Sequence, residues 1–439
     1  MTRMTPWLAV ILALFASCNG GSSEPSQNPE SKPSATVQVT PLIPQTTVAG
    51  YTHARSDGNR LVGGMGSLPG VEAIRLELLG RPVWVVGVPS GQGSAWAVVM
   101  DDGRVQGLRV TADGAEPASI TPARLDPGKP PLLLENDGVL RLITAVDPDA
   151  AMLTHPVLLP AKGGIGFLDT GGDIRFKGGI AAGRIALDAV PDARIISRDG
   201  SRLLVLTAAT TRYPHGAVGD DLEASTISII AARPNPVIEG IIELPGEAVI
   251  EGLAPIWTDI NDDGDPEILV TLSDKNSGAR LVIYSEQGVL VAQSEAIGSG
   301  FRWRHQIAVG PFGPDGETEI VSVRTPHIGG IVEFFRWEGG QLELVAELPG
   351  YSSHINGSRN LDMALAGDFD GDGRVELLVP NRTFTRLGAV RRNQTGAEEA
   401  WSLPLDSRLT TNLAAVENAD GSMTLALGVE DGTLLIWAP

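Results

Sequence analysis

The chain of 439 residues carries 33 Lys and Arg against 53 Asp and Glu, a formal charge of −20 at pH 7. That balance argues against a basic groove for nucleic-acid phosphates and against a polybasic patch for anionic lipid. With 42% hydrophobic and 20% charged residues the chain can bury a sizeable core, so global disorder is excluded as well. Its 53 Gly and 31 Pro make about a fifth of the chain, against a typical ~12%. So much turn chemistry calls for many short strands rather than a helix bundle.

The first element is an address. Arg3 precedes an apolar run from Trp7 to Ala16, too short for a bilayer span of ~20 residues. A basic start, a short apolar middle and small residues before a cut site read as a secretory signal. The stretch Leu14-Phe15-Ala16-Ser17-Cys18 resembles the lipobox of bacterial lipoprotein signal peptides. The resemblance implies cleavage after residue 17, acylation of Cys18 and anchoring to a membrane, the outer one or the cell surface, since Asn19 rather than Asp follows the cysteine. Cys18 is the sole cysteine, so its acylation would leave no thiol for a disulfide or a CxxC site. Residues 18–49 are rich in Ser, Pro, Gly and Asn and read as a disordered tether. The globular domain is expected over 50–439.

From 50 to 250 short apolar runs alternate with glycine turns, near Gly80, near Gly128 and at Ser197-Arg-Asp199-Gly200 before Leu203. The segment GIGFLDTGGDIRF, 164–176, is a further candidate repeat. The signal sharpens in two later loops. Asp259, Asn261 and Asp263 alternate, followed by Gly264, Asp265 and Glu267; Asp368, Asp370 and Asp372 do the same, followed by Gly373, Arg374 and Glu376. Oxygen side chains at loop positions 1, 3 and 5, with glycine at 6 for the sharp turn, wrap a hard cation, and the carbonyl of Asp265 or Arg374 at position 7 would add an oxygen. An all-oxygen donor set selects Ca²⁺ over zinc or copper. An EF-hand would need Glu at position 12, where Val270 and Val379 stand. After each loop comes an apolar run with strand character, 267–271 and 376–380.

Glu at position 9 followed by a strand resembles the FG-GAP or VCBS repeat, the calcium-loop β-propeller repeat also seen in integrin α chains. Weaker copies begin at Pro311, which keeps Gly313, Asp315, Gly316 and Glu319 but loses two ligands, and at Val416, which keeps Asn418, Asp420 and Gly421. Loop starts at 259, 311, 368 and 416 lie 52, 57 and 48 residues apart, a spacing that suits a four-stranded blade. With upstream starts near 75, 123 and 195, the expectation is an all-β, seven-bladed propeller. Eight blades is the alternative if 164–176 forms its own. The chain ends on three strands, so a strand from within residues 50–70 is expected to complete the last sheet.

Loops on the opposite face from the calcium turns hold His215, His305, His327 and His354, with Arg212, Arg304, Arg324, Arg359, Arg382 and Arg386 in the same class. In a chain this acidic, a basic and histidine-bearing concavity points to an anionic ligand such as an acidic glycan, with Trp303 as a stacking platform. The competing expectation is that these side chains satisfy loop carbonyls and pair with Asp220, Asp221 and Asp362. No GxSxG, HExxH or P-loop motif occurs, and GMGSLPG at 64–70 lacks a strand–helix context. The reading is a monomeric, lipid-anchored calcium-binding module for recognition, adhesion or scaffolding, with a glycan or envelope protein as partner and no nucleic acid. The alternatives are a calcium-assisted lyase or other propeller hydrolase acting on polyuronates, with His215 or His327 as base, and a purely structural surface protein.

Overall fold

A computed structural model of the chain describes Pro44 and residues 46–439, except 145–149, 152, 160–163, 179–182 and 234. The leader, Cys18 and most of the tether lie outside the described residues. The described residues contain strands and turns and no helix, and Val39–Pro439 groups as one compact unit.

Burial on both faces explains the sequence character of the central strands. In Glu267–Asp274, Ile268, Val270 and Leu272 belong to one apolar cluster while Leu269 belongs to another. A strand covered on both sides has no wet face to alternate with, so it reads as a continuous apolar run. Around it, Ile256–Thr258, Glu267–Asp274, Gly278–Ser285 and Leu290–Ser294 pair antiparallel in chain order. The hairpin between the last two closes with Gly288 N donating to the Ser285 carbonyl, 2.9 Å.

The same four-strand pattern recurs. Pro82–Ser90, Gly93–Met100, Val105–Thr111 and Gly114–Ala118 form one antiparallel sheet. Val157–Leu159, Gly164–Leu168, Ile174–Lys177 and Gly183–Ile185 form another, so 164–176 supplies the two middle strands of a separate sheet. A 13-stranded sheet consists of three antiparallel runs, over 196–243, 256–294 and 304–349. Only short links join these runs: Val249–Ile250 between the first two, and the parallel pairs Gln293–Gln341 and Ser294–Leu342 between the others.

Three strands near the N-terminus serve three different sheets. Val48–Tyr51 lies antiparallel to Leu132–Asn136. Leu61–Met65 runs parallel to Leu365–Asp368, the first strand of the sheet that continues through Glu376–Pro380, Arg386–Asn393 and Gly396–Pro404. Ile74–Glu77 pairs antiparallel with Thr433–Trp437 and completes the C-terminal sheet of Ala414–Glu417 and Met423–Gly428. The completing strand therefore lies at 74–77, not within 50–70. Ile74 and Leu76 supply apolar side chains that pack with Leu434 and Ile436, whereas Leu61–Met65 is already paired with the sheet at Leu365.

Each run shares an apolar cluster with its successor. Val86 and Val88 meet Leu133 and Leu142; Leu132 and Leu134 meet Leu158 and Ile165; Phe176, Leu204 and Trp257 share the largest cluster. Leu281 and Ile283 meet Val309 and Phe335, Val323 and Phe334 meet Leu377 and Val390, and Leu378 and Leu387 meet Leu425 and Leu435. Val416, Ala426 and Ile436 of the last sheet then pack on Val85, Trp96 and Leu108 of the sheet that begins at Pro82. Gly87 marks this last contact: a Cβ there would stand 2.6 Å from the Trp96 ring and 2.7 Å from Val416.

Candidate functional site

Both acidic loops join the first strand of a run to the second, and each second strand opens on a buried glutamate, Glu267 or Glu376. The two loops fold alike. Oε2 of the glutamate accepts the N–H of the residue after the first aspartate, from Ile260 at 2.9 Å and from Phe369 at 3.0 Å. Oδ2 of that aspartate accepts the N–H of the position-6 glycine, from Gly264 at 2.9 Å and from Gly373 at 3.0 Å. Both glycines have positive φ, +94° and +84°, the left-handed region that a residue with a Cβ enters only at a cost.

The loops differ in what meets the glutamate's other oxygen. In the second loop Asp368, Asp370 and Glu376 each offer a carboxylate oxygen within 4.8 Å of the others. Glu376 is wholly buried, and its Oε1 has no hydrogen-bond partner. Burial, and then the neighbouring Asp370 carboxylate, pushes the Glu376 carboxyl up to about 8. Asp370 is raised by burial and by Asp372, although Trp401 Nε1 donates to its Oδ2 at 3.1 Å. Asp372 is not part of that triad; Arg391 Nη1 lies 2.7 Å from it and 3.9 Å from Asp370. The N–H of Arg374 donates to Asp372 Oδ1, 2.9 Å, and its guanidinium reaches the Arg392 carbonyl at 2.5 Å.

In the first loop the Asn261 side-chain nitrogen donates to Asp263 Oδ2 at 3.0 Å and to Glu267 Oε1 at 3.2 Å. An amide thus stands among carboxylates, and turning it over would present an oxygen to the same point. Asp265 is exposed, and its N–H donates to Asp263 Oδ1, 2.9 Å. Glu267 is raised by burial, then by Asp263 and Asp259.

The loop from Pro311 supplies an internal comparison. Its glutamate, Glu319, is equally buried, but Arg392 Nε at 2.9 Å and Arg336 Nη2 at 2.6 Å neutralise it. Where the aspartates at positions 1 and 3 are missing, guanidinium groups stand beside the buried glutamate. The loop from Val416 has Asn418 Nδ2 donating to Ser422 Oγ and Thr424 Oγ1, at 3.0 and 3.1 Å, with no carboxylate at position 9. Arg391, Arg392 and Trp401 were missed by motif reading because they lie on third and fourth strands, remote in sequence from the loops they touch.

The histidine-bearing loops form a second assembly. His327 lies between the second and third strands of its run, which in an antiparallel run is the end opposite the acidic loops. His327 Nε2 and His354 Nδ1 are 2.6 Å apart, and His354 Nε2 donates to the Ser358 carbonyl at 2.5 Å. Trp303 stacks on His305 with centroids 4.8 Å apart. At 2% exposure Trp303 is core rather than an open stacking platform. The arginines are largely occupied. Arg304 and Arg324 both hold Glu333, at 2.8 and 2.6 Å. Arg359 pairs with Asp192 and Asp220, and Arg382 reaches the Ile328 carbonyl at 3.0 Å. Arg386 pairs with Glu399 at 2.5 Å, and Arg212 reaches the Ala248 carbonyl.

His215 stands apart from that trio. Its Nδ1 is hydrogen-bonded to buried Glu251, whose other oxygen accepts from Ser273. Phe301, 47% exposed, stacks on the imidazole at 5.4 Å and 15°. Burial raises the carboxyls of Glu251, Glu223 and Asp192, the last to about 6. Glu251 and Glu223 carried no signal in the sequence, being single acidic residues beside apolar runs.

No protein-family model matches the chain, and no curated protein matches it significantly.

Proposed function

We propose that this chain is a calcium-binding β-propeller of FG-GAP/VCBS type with eight blades. It is anchored through an acylated Cys18 at the outer membrane or cell surface and acts as a recognition or scaffolding module. The observation that carries calcium is the Glu376 Oε1 atom, buried and unpartnered beside Asp368 and Asp370. A buried acceptor without a donor is costly, and three carboxylates within reach of one another repel. A hard divalent cation relieves both, with oxygen donors of the type Ca²⁺ takes. Eight blades rather than seven are supported by the separate sheet over 157–185 and by the apolar clusters that pass from each run to the next and from the last back to the run at Pro82.

The test is a thermal melt of residues 18–439, made without the leader, in calcium and in chelator. Calcium at about 100 times its dissociation constant should stabilise by ~2.7 kcal/mol. Glu376→Gln should remove most of that response and Glu267→Gln less of it. A melt indifferent to calcium ends the metal reading.

Because the arginines opposite the acidic loops are already paired, a protein of the cell envelope fits that face better than an acidic glycan. A second reading, elimination on a polyuronate, is favoured by one observation only. Glu251 holds His215 by Nδ1, which leaves Nε2 to abstract a proton. New ultraviolet absorbance on incubation with pectin-like or alginate-like polymers, lost in His215→Ala, would establish it.

A further inference from the structure

We propose that the small cavity between Arg60, Arg194 and His305 binds a monovalent anion of halide size. Asp362 accepts from Arg194 Nη1 and Nη2, at 2.8 and 2.6 Å, and from Arg60 Nε, at 2.9 Å. All three side chains are buried, so two guanidinium charges share one carboxylate. Arg60 Nη1 continues to the Gln306 carbonyl at 3.1 Å, a dipole rather than a charge. The nearby imidazoles are neutral and compensate nothing: burial, then Arg194 beside His53 and His155 and Arg60 beside His305, holds all three below the usual histidine range. One positive charge is left uncompensated away from water, which a protein interior tolerates poorly.

The cavity beside this cluster has a volume of ≈ 10 Å³, about one water-sized sphere. Arg60, Arg194, His305, Gln306, Leu253 and Leu361 line it, and no carboxylate does. Two buried nitrogens of the lining residues lack any partner, Arg194 Nε and His305 Nε2. His305 Nδ1 lies 2.8 Å from Ser353 Oγ, and this is the hydroxyl's one hydrogen bond among the described residues. With that hydroxyl as the donor to Nδ1, the single proton of the neutral ring sits on Nε2. Both unpartnered nitrogens are donors. A cation is repelled, and a water would satisfy the donors while leaving the charge. A small anion satisfies both, whereas sulfate and carboxylates exceed the volume. Calcium at the acidic loops is not required for this inference.

The experiment uses the full chain in non-ionic detergent at constant calcium. Melts are recorded in sodium bromide, chloride and gluconate of equal ionic strength. Bromide and chloride should give a saturable rise of a few degrees in Tm over gluconate. Arg60→Met, which leaves Arg194 and Asp362 as a neutral pair, should abolish that rise. Crystals soaked in sodium bromide should show an anomalous bromine peak in the cavity lined by Arg60, Arg194 and His305. Equal Tm in the three salts, together with an occupant of water height and no anomalous signal, overturns the proposal. If Arg60→Met fails to fold, the bromide map of the unaltered protein decides.

Discussion

A buried glutamate at the head of a second strand is met in three ways within this one chain. Glu319 takes two guanidinium groups, Glu267 takes an asparagine amide, and Glu376 leaves one oxygen without a partner. The contrast predicts that Glu319→Gln lowers stability without altering the calcium response, whereas Glu376→Gln alters the response; calcium titrations followed by calorimetry separate the two. Histidine burial gives a pH prediction with a defined sign. His53 is lowered to about 3 by burial, then by Arg194. Between that value and an ordinary 6.5 the unfolded chain binds a proton that the folded one refuses, so acid withdraws stability. Replacing the ring removes this loss: the stability of His53→Phe relative to the unaltered protein should rise by about 2 kcal/mol from pH 7.5 to pH 5. Asp192, raised to about 6, works in the opposite direction, so the difference between the two proteins is the quantity to measure, by urea midpoints at each pH. A pH-independent difference would contradict the buried, neutral state of His53.

At the scale of the element, loop and strand depend on each other. The acidic residues are held by backbone N–H groups of their own turn, and the turn needs positive φ at position 6. Gly373→Ala should therefore cost about 1–2 kcal/mol of stability and weaken calcium binding together with it. Asn261→Asp should have the reverse effect on affinity in the first loop: it replaces the amide that occupies Glu267 Oε1 with a fourth carboxylate, and calcium should bind more tightly while the chelated protein loses stability. Isothermal titration of the variant against the unaltered chain checks both signs. These loops were legible in the sequence because turn chemistry and ligand spacing are local. Arg391, Arg392 and Trp401 were not, because their contacts are set by cross-strand register.

For the whole molecule the decisive contacts join distant ends of the chain. Strands 48–51, 61–65 and 74–77 pair with strands that begin at 132, 365 and 433. A chain starting at residue 80 should lose its single cooperative melt, since three sheets would each lose a strand. Gly87 reports on the contact between the last sheet and the sheet at Pro82: with Trp96 and Val416 so close, Gly87→Val should cost at least 1–3 kcal/mol by overpacking. Urea unfolding measures it, and an unchanged midpoint would mean that the two sheets separate freely there.

The amino-acid sequence by itself determined an all-β chain, the strands around each acidic loop and the identity of the loop oxygens. Periodicity, glycine placement and residue spacing act within a few residues and so can be read without coordinates. Tertiary structure alone decided that 157–185 forms its own sheet, that strand 74–77 completes the last one and that Trp303 is buried. It alone brought Arg60, Arg194 and Asp362 together from three remote segments. Such choices follow from which apolar faces find one another, and that depends on the packing of the whole chain, not on any stretch of it.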